Sequence, residues 1–472
     1  MRYFLLFAFT FVSLFAGVEN LKLDEAIKLL KKNNNEIKIA KFEEEIAKFK
    51  TKIAKSYNYG TLDYTFNALR SNDAGNVFGF KLQSREATFR DFGFSDFLGG
   101  VGQALQMAGG NFGAFTTIMS NPTMQNMLLD TAPDDLNNPD ARNHFQSKIS
   151  YMVPLFTGYK LAQYEKISKA MEKMSSLDTK KIINEKIYQT KKTFYDITLV
   201  ENYIRNLEKL KANIDKLEDI IKAFMSEGYA KDTDLLEVQA KKAEVLSYLN
   251  QAKLNRELAY QFLEFLIGEK VDSIAHTEEL AKLPQGSPEE LVEKTIDMKK
   301  VKMGLKITDM NVKLQKSGYY PTIGAFGEYG SADNVPFNDF FDKDAYTIGA
   351  QLKWNLFNGG ETTAQVQKAK IEKMKMLEQY NLAKRGLALK IRQIITEVKS
   401  KDFDVKAKTK EFEFSKRVYE HYEEKYKEGL VKISDVLIKH SEEIQSLLEL
   451  LKVKTQRNEK VFMLESLLDK GE

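Results

Sequence analysis

The amino-acid sequence predicts an α+β fold that is mostly helical and is built from two copies of one unit. Three observations predict it. Short motifs recur at a fixed spacing, runs of alternating apolar and polar residues mark short strands, and long proline-free segments carry apolar residues at the three-four spacing of helices. Each copy is expected to combine two strands with long helices that end in a hairpin.

The N-terminus resembles a secretory signal peptide. Arg2 supplies a positive charge, an apolar run follows, and Ala16 and Gly17 are the small residues expected before a cleavage site. The cleavage point is not sharply defined, because Leu14 stands where a smaller residue is commoner. We expect residues 1–17 to be removed on export; the alternative is an N-terminal anchor that is kept.

The repeat is the most informative feature of the chain. Leu155-Phe156-Thr157-Gly158 returns as Leu356-Phe357-Asn358-Gly359, 201 residues later. Upstream, Lys55-Ser56 matches Lys316-Ser317 at a spacing of 261 residues. The first copy therefore carries about 60 additional residues between these two blocks. A register held over about a hundred residues indicates a duplication.

The repeat and the hydrophobic patterns together predict the order of the elements. The first repeat is expected at 18–268, a linker at 269–288 and the second repeat at 289–472. In the first repeat we predict helices at about 21–55, 159–226 and 233–267, strands at about 57–70 and 144–154, and an inserted loop at about 72–143. In the second repeat we predict helices at about 289–317, 361–427 and 434–469, and strands at about 321–331 and 345–355.

The strands are recognised by alternation with a period of two residues. Ile348 and Leu352 share one face of a predicted strand, and Thr347 and Gln351 share the other. This pattern suits a wall between lipid and a watery lumen, and it suits a soluble antiparallel sheet with one buried face equally well. Trp354 is the only tryptophan and ends its strand, where an interfacial aromatic residue would lie in a membrane.

Each copy is expected to end in a hairpin of two helices. Gly228 and Gly429 follow the long helices, at the position of a left-handed C-cap residue. Thr233 and Ser434 come next as candidate N-caps of the returning helices. Two strands per copy make four, whereas small closed barrels begin at about eight strands. Membrane strands in this chain would therefore require an oligomer.

Composition excludes several functional classes. The 71 Lys and Arg nearly balance the 67 Asp and Glu, so the chain lacks the strong basic excess of a nucleic-acid-binding protein. There is no cysteine, and therefore no disulfide and no thiol catalysis. The histidines are scattered and are expected to be solvated rather than metal ligands; they are His144, His276, His421 and His440. No nucleophile or phosphate-loop motif occurs, so we predict no enzyme, no cofactor and no metal site.

Four motifs, in order, make the chain resemble the TolC-type outer-membrane efflux proteins. Two of them follow the second strand of each copy, at 154–158 and 355–360, and two are the Glu-Gly hairpin turns at 227–236 and 428–437. The resemblance covers essentially the whole mature chain. It implies a homotrimer in the outer membrane of a Gram-negative bacterium. Four strands from each subunit would complete a twelve-stranded trimeric β-barrel, and the duplicated hairpins would form an α-barrel tunnel across the periplasm.

The resemblance also implies a passive transport function. The channel would conduct cargo from an inner-membrane pump, driven by protons or ATP, through a periplasmic adaptor protein to the outside. Such a duct serves a tripartite efflux system or a type I secretion system. The pump selects the cargo, so the duct sequence does not specify it. The implied partners are two further copies of the chain, the adaptor, the pump and outer-membrane lipid.

Roles for residues at the hairpin tips follow from the same resemblance. Asp435 resembles the aspartate that lines the closed tip, Tyr426 a tyrosine that ties neighbouring hairpins together, and Asp234 is expected as its partner. Val431 and Ile438 stand where some members carry further polar gate residues. The alternative for both aspartates is stabilisation of a helix start by the helix dipole. The turns expected to bind the adaptor contain Gly228, Gly429, Thr233 and Ser434.

The inserted residues 72–143 would face outside the cell in this topology. They contain a Val-Phe-Gly segment at 77–79 and an Asn-Pro segment at 138–139, as one branch of the family does. A lid over the pore and a passive surface loop are both compatible with the sequence. The alternative for the whole chain is a periplasmic coiled-coil adaptor or a structural protein without a pore. Adaptors normally carry one hairpin between small β domains, whereas this chain has two matched hairpins.

Overall fold

The computed structural model describes residues 17–277, 279–428 and 430–469. The expected signal peptide lies outside these ranges except for its last residue, Gly17. The chain divides into two compact units. The helical unit contains residues 17–51, Lys166–Val312 and 368–469, and the strand unit contains Lys52–Glu165 and Lys313–Gln367. The mostly helical α+β fold predicted from the sequence is confirmed.

Helices form most of the described chain. In chain order they are α1 (Leu23–Asn33), α2 (Asn35–Ser56), α3 (Ala74–Gln83), α4 (Phe94–Met107), α5 (Phe112–Met119), α6 (Pro122–Leu129), α7 (Asp134–Asn137), α8 (Lys160–Ser226), α9 (Asp232–Ile267), α10 (Pro288–Lys294), α11 (Ile296–Lys316), α12 (Glu361–Lys427) and α13 (Ile433–Leu467). The long helices α8 and α12 each have 67 residues and contain no proline, which would break the hydrogen-bond ladder. Among the described helices, none has an apolar stretch long enough to cross a membrane.

Four strands form one antiparallel sheet in the order β1-β2-β3-β4. Their bounds are β1 (Thr61–Ser71), β2 (Arg142–Phe156), β3 (Thr322–Asp333) and β4 (Asp344–Lys353). The first strand begins later than predicted, because Tyr57–Tyr59 form a 3₁₀ turn and Gly60 has a positive φ of 71°. A Cβ at Gly60 would collide with the Met152 carbonyl, so this close approach requires glycine.

The sheet has one polar and one apolar face. In the observed register Tyr64 lies opposite Ile149, which lies opposite Tyr329, so the apolar residues of neighbouring strands share a face. Lys148 and Glu328 lie on the other face and form an ion pair of 3.1 Å between Nζ and Oε1. Most of the aromatic and aliphatic residues on the apolar face are exposed in the single chain.

The inserted segment is not the loop that the sequence predicted. Between β1 and β2 it contains the short helices α3 to α7, and we call residues 72–141 the outer insert. Local capping explains several of these helices. Asn111 accepts hydrogen bonds from the backbone N–H groups of Gly113 and Ala114 at the start of α5, and Asn121 accepts one from Thr123 at the start of α6. Sequence periodicity missed α5 and α6 because helices of eight residues are too short to show it.

The two repeats correspond farther upstream than the sequence motifs indicated. The predicted helices at 21–55 and 289–317 are each broken, at Asn34 and Thr295, and these residues are 261 positions apart. In both copies the side chain caps the helix that follows. The Asn34 Oδ1 accepts from the Ile37 N–H at 3.1 Å, and the Thr295 Oγ1 accepts from the Met298 N–H at 3.2 Å. The spacing of 261 residues therefore holds at the first helices of each copy.

Each repeat also has its own buried core among its helices. Leu263 belongs to the core of the first repeat and Leu464 to that of the second, and both have no exposed surface. Ile197 and Val398 form another pair, and both pairs are 201 residues apart. The duplication is thus present in the packing as well as in the motifs.

Candidate functional site

The first hairpin turn, between α8 and α9, closes as its sequence predicts. Gly228 has a φ of +77°, and its N–H donates to the Met225 carbonyl at 3.0 Å. The next N–H, of Tyr229, donates to the Phe224 carbonyl at 2.8 Å. A Cβ at position 228 would meet no atom within 4 Å. Backbone conformation rather than lack of space therefore favours glycine here.

The second hairpin turn, between α12 and α13, is closed by the equivalent bond. The Leu430 N–H donates to the Lys425 carbonyl at 2.9 Å, at positions 201 residues after Tyr229 and Phe224. Two residues proposed for this tip lie beyond what the structure describes. Gly429 falls in a gap between the described ranges, and only the backbone of Tyr426 is described, as part of α12.

Asp234 and Asp435 occupy the same position in their hairpins. Each is the third residue of its helix, and its carboxylate accepts the backbone N–H of the residue before the helix. The distances are 3.0 Å from Lys231 to Asp234 and 3.2 Å from Lys432 to Asp435. Both aspartates stabilise helix starts, where a negative charge also faces the positive end of the helix dipole.

The predicted N-caps were wrong by two residues. Lys231 and Lys432 occupy the N-cap positions, and Thr233 and Ser434 lie within the first turns of α9 and α13. The aspartates explain the difference. Because each carboxylate binds the N-cap N–H from inside the helix, the N-cap residue does not need a short polar side chain. In each hairpin, the Asp at the third helical position marks where the returning helix begins.

A buried histidine connects the two hairpins. The Asn213 Nδ2 of α8 lies 2.9 Å from the His440 Nδ1 of α13, and the Tyr419 ring of α12 stacks on the imidazole with centroids 4.6 Å apart. The predicted solvation of His440 was wrong, and His144 is also buried. Burial, together with the charge of Lys209, holds the pKa of His440 below its usual 6.5. Scattered histidines gave no sequence signal, because their partners are distant in the chain.

Trp354 lies directly after β4 and remains about half exposed. Its Nε1–H donates to the Tyr319 carbonyl at 3.2 Å, and the Tyr319 hydroxyl bonds the Thr363 Oγ1 at 3.2 Å. At the same end of the sheet, the Tyr159 ring packs edge-on against Phe156 and Tyr320. Trp354 was predicted from the sequence as an interfacial residue. The tyrosines were not predicted, because they lie in the turns between strands and helices.

A cluster of charged residues attaches the outer insert to the sheet. The Glu86 carboxylate binds the Arg142 guanidinium at the start of β2 and the Lys343 ammonium before β4, the latter at 2.6 Å. Lys343 also binds Asp333 at 2.8 Å. Burial opposes ionisation of Glu86, but hydrogen bonds from Lys343 and Arg142 outweigh it and hold the pKa of this carboxyl below its usual 4.5. Glu86 lies far from Arg142 and Lys343 in the chain, and these pairs were not predicted from the sequence.

No group of acidic residues and histidines in the described ranges has the arrangement of a metal site. The polar groups at the hairpin tips serve helix starts, and those at the outer insert serve its attachment.

Comparison with known proteins shows what the chain is similar to. Residues 288–469 match the sequence profile of the outer membrane efflux protein family. The chain is 22% identical over 188 residues to the outer membrane efflux protein BepC of Brucella suis, an alignment that covers 39% of this chain and 41% of BepC. It is 23% identical over 257 residues to the solvent efflux pump outer membrane protein SrpC of Pseudomonas putida, covering 51% of this chain and 53% of SrpC.

The fold of the chain matches solved structures of outer membrane channels. The Campylobacter jejuni CmeC outer membrane channel aligns with a TM-score of 0.71 and 16% identity, over 95% of this chain and 87% of that one. The aligned region spans about half or less of the curated relatives' length. The likeness to CmeC shows the fold, and it extends over both repeats.

Proposed function

We propose that the chain is the outer-membrane exit channel of a tripartite efflux or type I secretion system. It passively conducts cargo from an inner-membrane pump and a periplasmic adaptor to the outside. Each repeat supplies one pair of strands to the channel wall and one helical hairpin to the periplasmic tip. The observation that carries the proposal is a four-stranded sheet with two open edges, joined to two matched hairpins.

The open sheet supports a homotrimer. Within the described residues β1 pairs only with β2, and β4 only with β3, so each has an edge left for another strand. Four strands are too few to surround a lumen, and three copies supply twelve. The apolar face would then contact lipid, and the polar face with its Lys148–Glu328 pair would line the lumen.

Exposed apolar residues on α2 support the same assembly. Ile39, Phe42 and Ile46 follow three-four spacing along one side of this helix, and each exposes 45% or more of its surface. In the second repeat the corresponding Met303 and Ile307 are half-buried within the chain. A neighbouring copy that packs against α2 would bury Ile39, Phe42 and Ile46. The chain itself partly buries Met303 and Ile307 in the same way.

An assembly experiment tests the channel directly. Purified in detergent, the protein should have the mass of three chains and should form ion-conducting pores in planar lipid bilayers. Cell fractionation should recover it with outer membranes. The alternative, a periplasmic adaptor or structural protein without a pore, predicts a soluble protein that does not conduct. Recovery as a periplasmic monomer would contradict the channel.

We infer a gate at the periplasmic tip in which Asp435 contributes negative charge, with Tyr426 and Asp234 as further candidates. Asparagine at position 435 keeps an acceptor for the Lys432 N–H, whereas alanine removes both acceptor and charge. If Asp435 acts through its charge, Asp435→Asn and Asp435→Ala should both reduce cation selectivity. If it only starts a helix, Asn should conduct like the parent protein and only Ala should loosen the tip, by about 1 kcal/mol. Asp234→Asn and Asp234→Ala apply the same test to the candidate in the first hairpin.

The adaptor should contact the two turns, which contain Gly228, Gly429, Thr233 and Ser434. Thr233 is exposed on the first turn of α9, where a bulky substitution leaves the helix start intact. We expect Thr233→Trp to weaken cross-linking to the adaptor in cells while trimer assembly is unchanged. Unchanged cross-linking with Thr233→Trp and with Ser434→Trp would contradict this docking site.

A further inference from the structure

The outer insert lies over the polar face of the sheet. His144 is on that face of β2, and its imidazole stacks on the Phe80 ring of α3 with centroids 4.1 Å apart and planes 6° apart. Arg142, which shares this face, donates to the Ser84 Oγ at 2.9 Å and binds Glu86. The insert is therefore attached to the side of the sheet that would face the lumen under the proposed function.

A different segment covers the opposite face at the same end. Phe337, in the connection between β3 and β4, stacks on Phe66 of the apolar face with centroids 5.2 Å apart. Phe340, in the same connection, packs against Tyr329 at 6.0 Å. Phe337 and Phe340 of this connection thus pack on the face opposite the one that His144 and Phe80 occupy, and the connection meets the insert only near its end, where Lys343 binds Glu86.

The outer insert exposes an apolar surface with very little charge. From residue 92 to residue 129 Asp96 is the only charged residue, although 29% of the chain is charged. Exposed side chains on this stretch include Met107 at 65%, Phe112 at 76% and Leu129 at 74%. Large exposed apolar patches on proteins mark sites of association.

The position of this surface decides what covers it. Lipid is excluded as the main occupant, because the insert is attached to the face opposite the one proposed to face the membrane. In a trimer the polar faces of three sheets surround one lumen, so three inserts attached to these faces converge. Because residues 92–129 of each insert carry almost no charge, the same surfaces of neighbouring copies can meet without electrostatic repulsion.

We propose that the outer inserts of neighbouring copies pack against one another through residues 92–129 and occlude the outer mouth of the channel. This proposal rests on the trimeric channel proposed above. It assigns the insert to contact with the same segment of another copy, and it makes the outer opening a second constriction besides the periplasmic tip.

Cross-linking tests the contact, because the natural chain has no cysteine. In Phe112→Cys the new thiols should form disulfide-linked dimers of the full chain under mild oxidation. The matched control is Phe341→Cys, equally exposed at 81% but carried by the connection that covers the other face. We expect cross-linking at position 112 to exceed that at 341 by at least tenfold. Equal yields, or none at position 112, would overturn the proposal.

Conductance tests the occlusion. Phe112→Asp places like charges where the inserts would meet and should raise single-channel conductance at least twofold, whereas Phe341→Asp should not. Deletion of residues 76–136 should raise it further. If all variants conduct like the parent trimer, the inserts do not occlude the mouth. If no variant conducts or assembles as a trimer, the proposed channel fails, and cross-linking at position 112 still decides the contact between inserts.

Discussion

Replacing Glu86 by glutamine tests the attachment of the outer insert. The carboxylate binds Arg142 and Lys343 at once, and Ser84 donates its hydroxyl to the same group. Glutamine has nearly the same shape but no charge. Glu86→Gln therefore leaves two cations beside a neutral amide without creating a cavity.

The burial of the three side chains sets the size of the effect. Glu86 exposes 32% of its side chain, Arg142 15% and Lys343 14%. Breaking a fully buried ion pair costs about 3–5 kcal/mol, whereas an exposed pair contributes about 0–1 kcal/mol. This cluster lies between the two limits, and Lys343 retains Asp333 as a partner. We expect Glu86→Gln to cost about 1.5 kcal/mol of local stability, which is about a tenfold change in an opening equilibrium.

Hydrogen exchange with mass spectrometry measures this change segment by segment. Amides of α3 should exchange about tenfold faster in Glu86→Gln, because the cluster holds this helix on the sheet. Glu45→Gln is the control, since Glu45 pairs with Lys48 three residues away and exposes 57% of its side chain. It should change exchange by less than about twofold near its own position. Unchanged exchange in α3, or an equal effect of Glu45→Gln, would refute the reasoning.

Three further outcomes follow from the structure. Because the pKa of Glu86 is lowered on folding, its stabilisation is present above its usual pKa of 4.5 and is lost as the pH falls through its folded value; the exchange protection of α3 should fall as the pH is lowered below 4.5, and protection that stays constant throughout an acid titration would contradict this. Leu263→Ala and Leu464→Ala should each cost about 2–5 kcal/mol and add in the double variant, because they lie in separate cores; thermal unfolding measures this, and a strongly non-additive result would disprove their independence. Gly158→Ala should destabilise by about 1 kcal/mol more than Gly359→Ala, since a Cβ at 158 lies 2.6 Å from a carbonyl whereas 359 is open; equal unfolding temperatures would refute this.

Local patterns predicted the elements whose conformation depends on near neighbours. Alternation identified the two faces of β4, and the glycine at the end of α8 adopts the left-handed conformation expected of it. The same reasoning failed at the starts of α9 and α13. It looked for a short polar residue at the N-cap, whereas Asp234 and Asp435 bind the N-cap N–H from within the helix. Several local solutions can satisfy one helix start, so sequence rules alone did not choose between them.

Distant pairings could not be predicted, because no sequence pattern relates their partners. His440 was expected to be solvated, yet it is buried between Asn213, 227 residues away, and Tyr419. The tyrosines at the Trp354 end of the sheet come from two separate turns, one after β2 and one before β3. The repeat identified the equivalent turns after β2 and β4, whereas the equivalent helix breaks at Asn34 and Thr295 were found only in the structure.

The sequence by itself determined the duplicated helical hairpins, the two-faced strands and the resemblance to outer-membrane efflux proteins, because these depend on periodicity and on turn residues close together in the chain. Only the tertiary structure decided which face of the sheet the outer insert covers. That choice depends on Glu86 binding Arg142, 56 residues away, and Lys343, 257 residues away. Charges so far apart in sequence carry no periodic signal, and folding alone brings them within bonding distance.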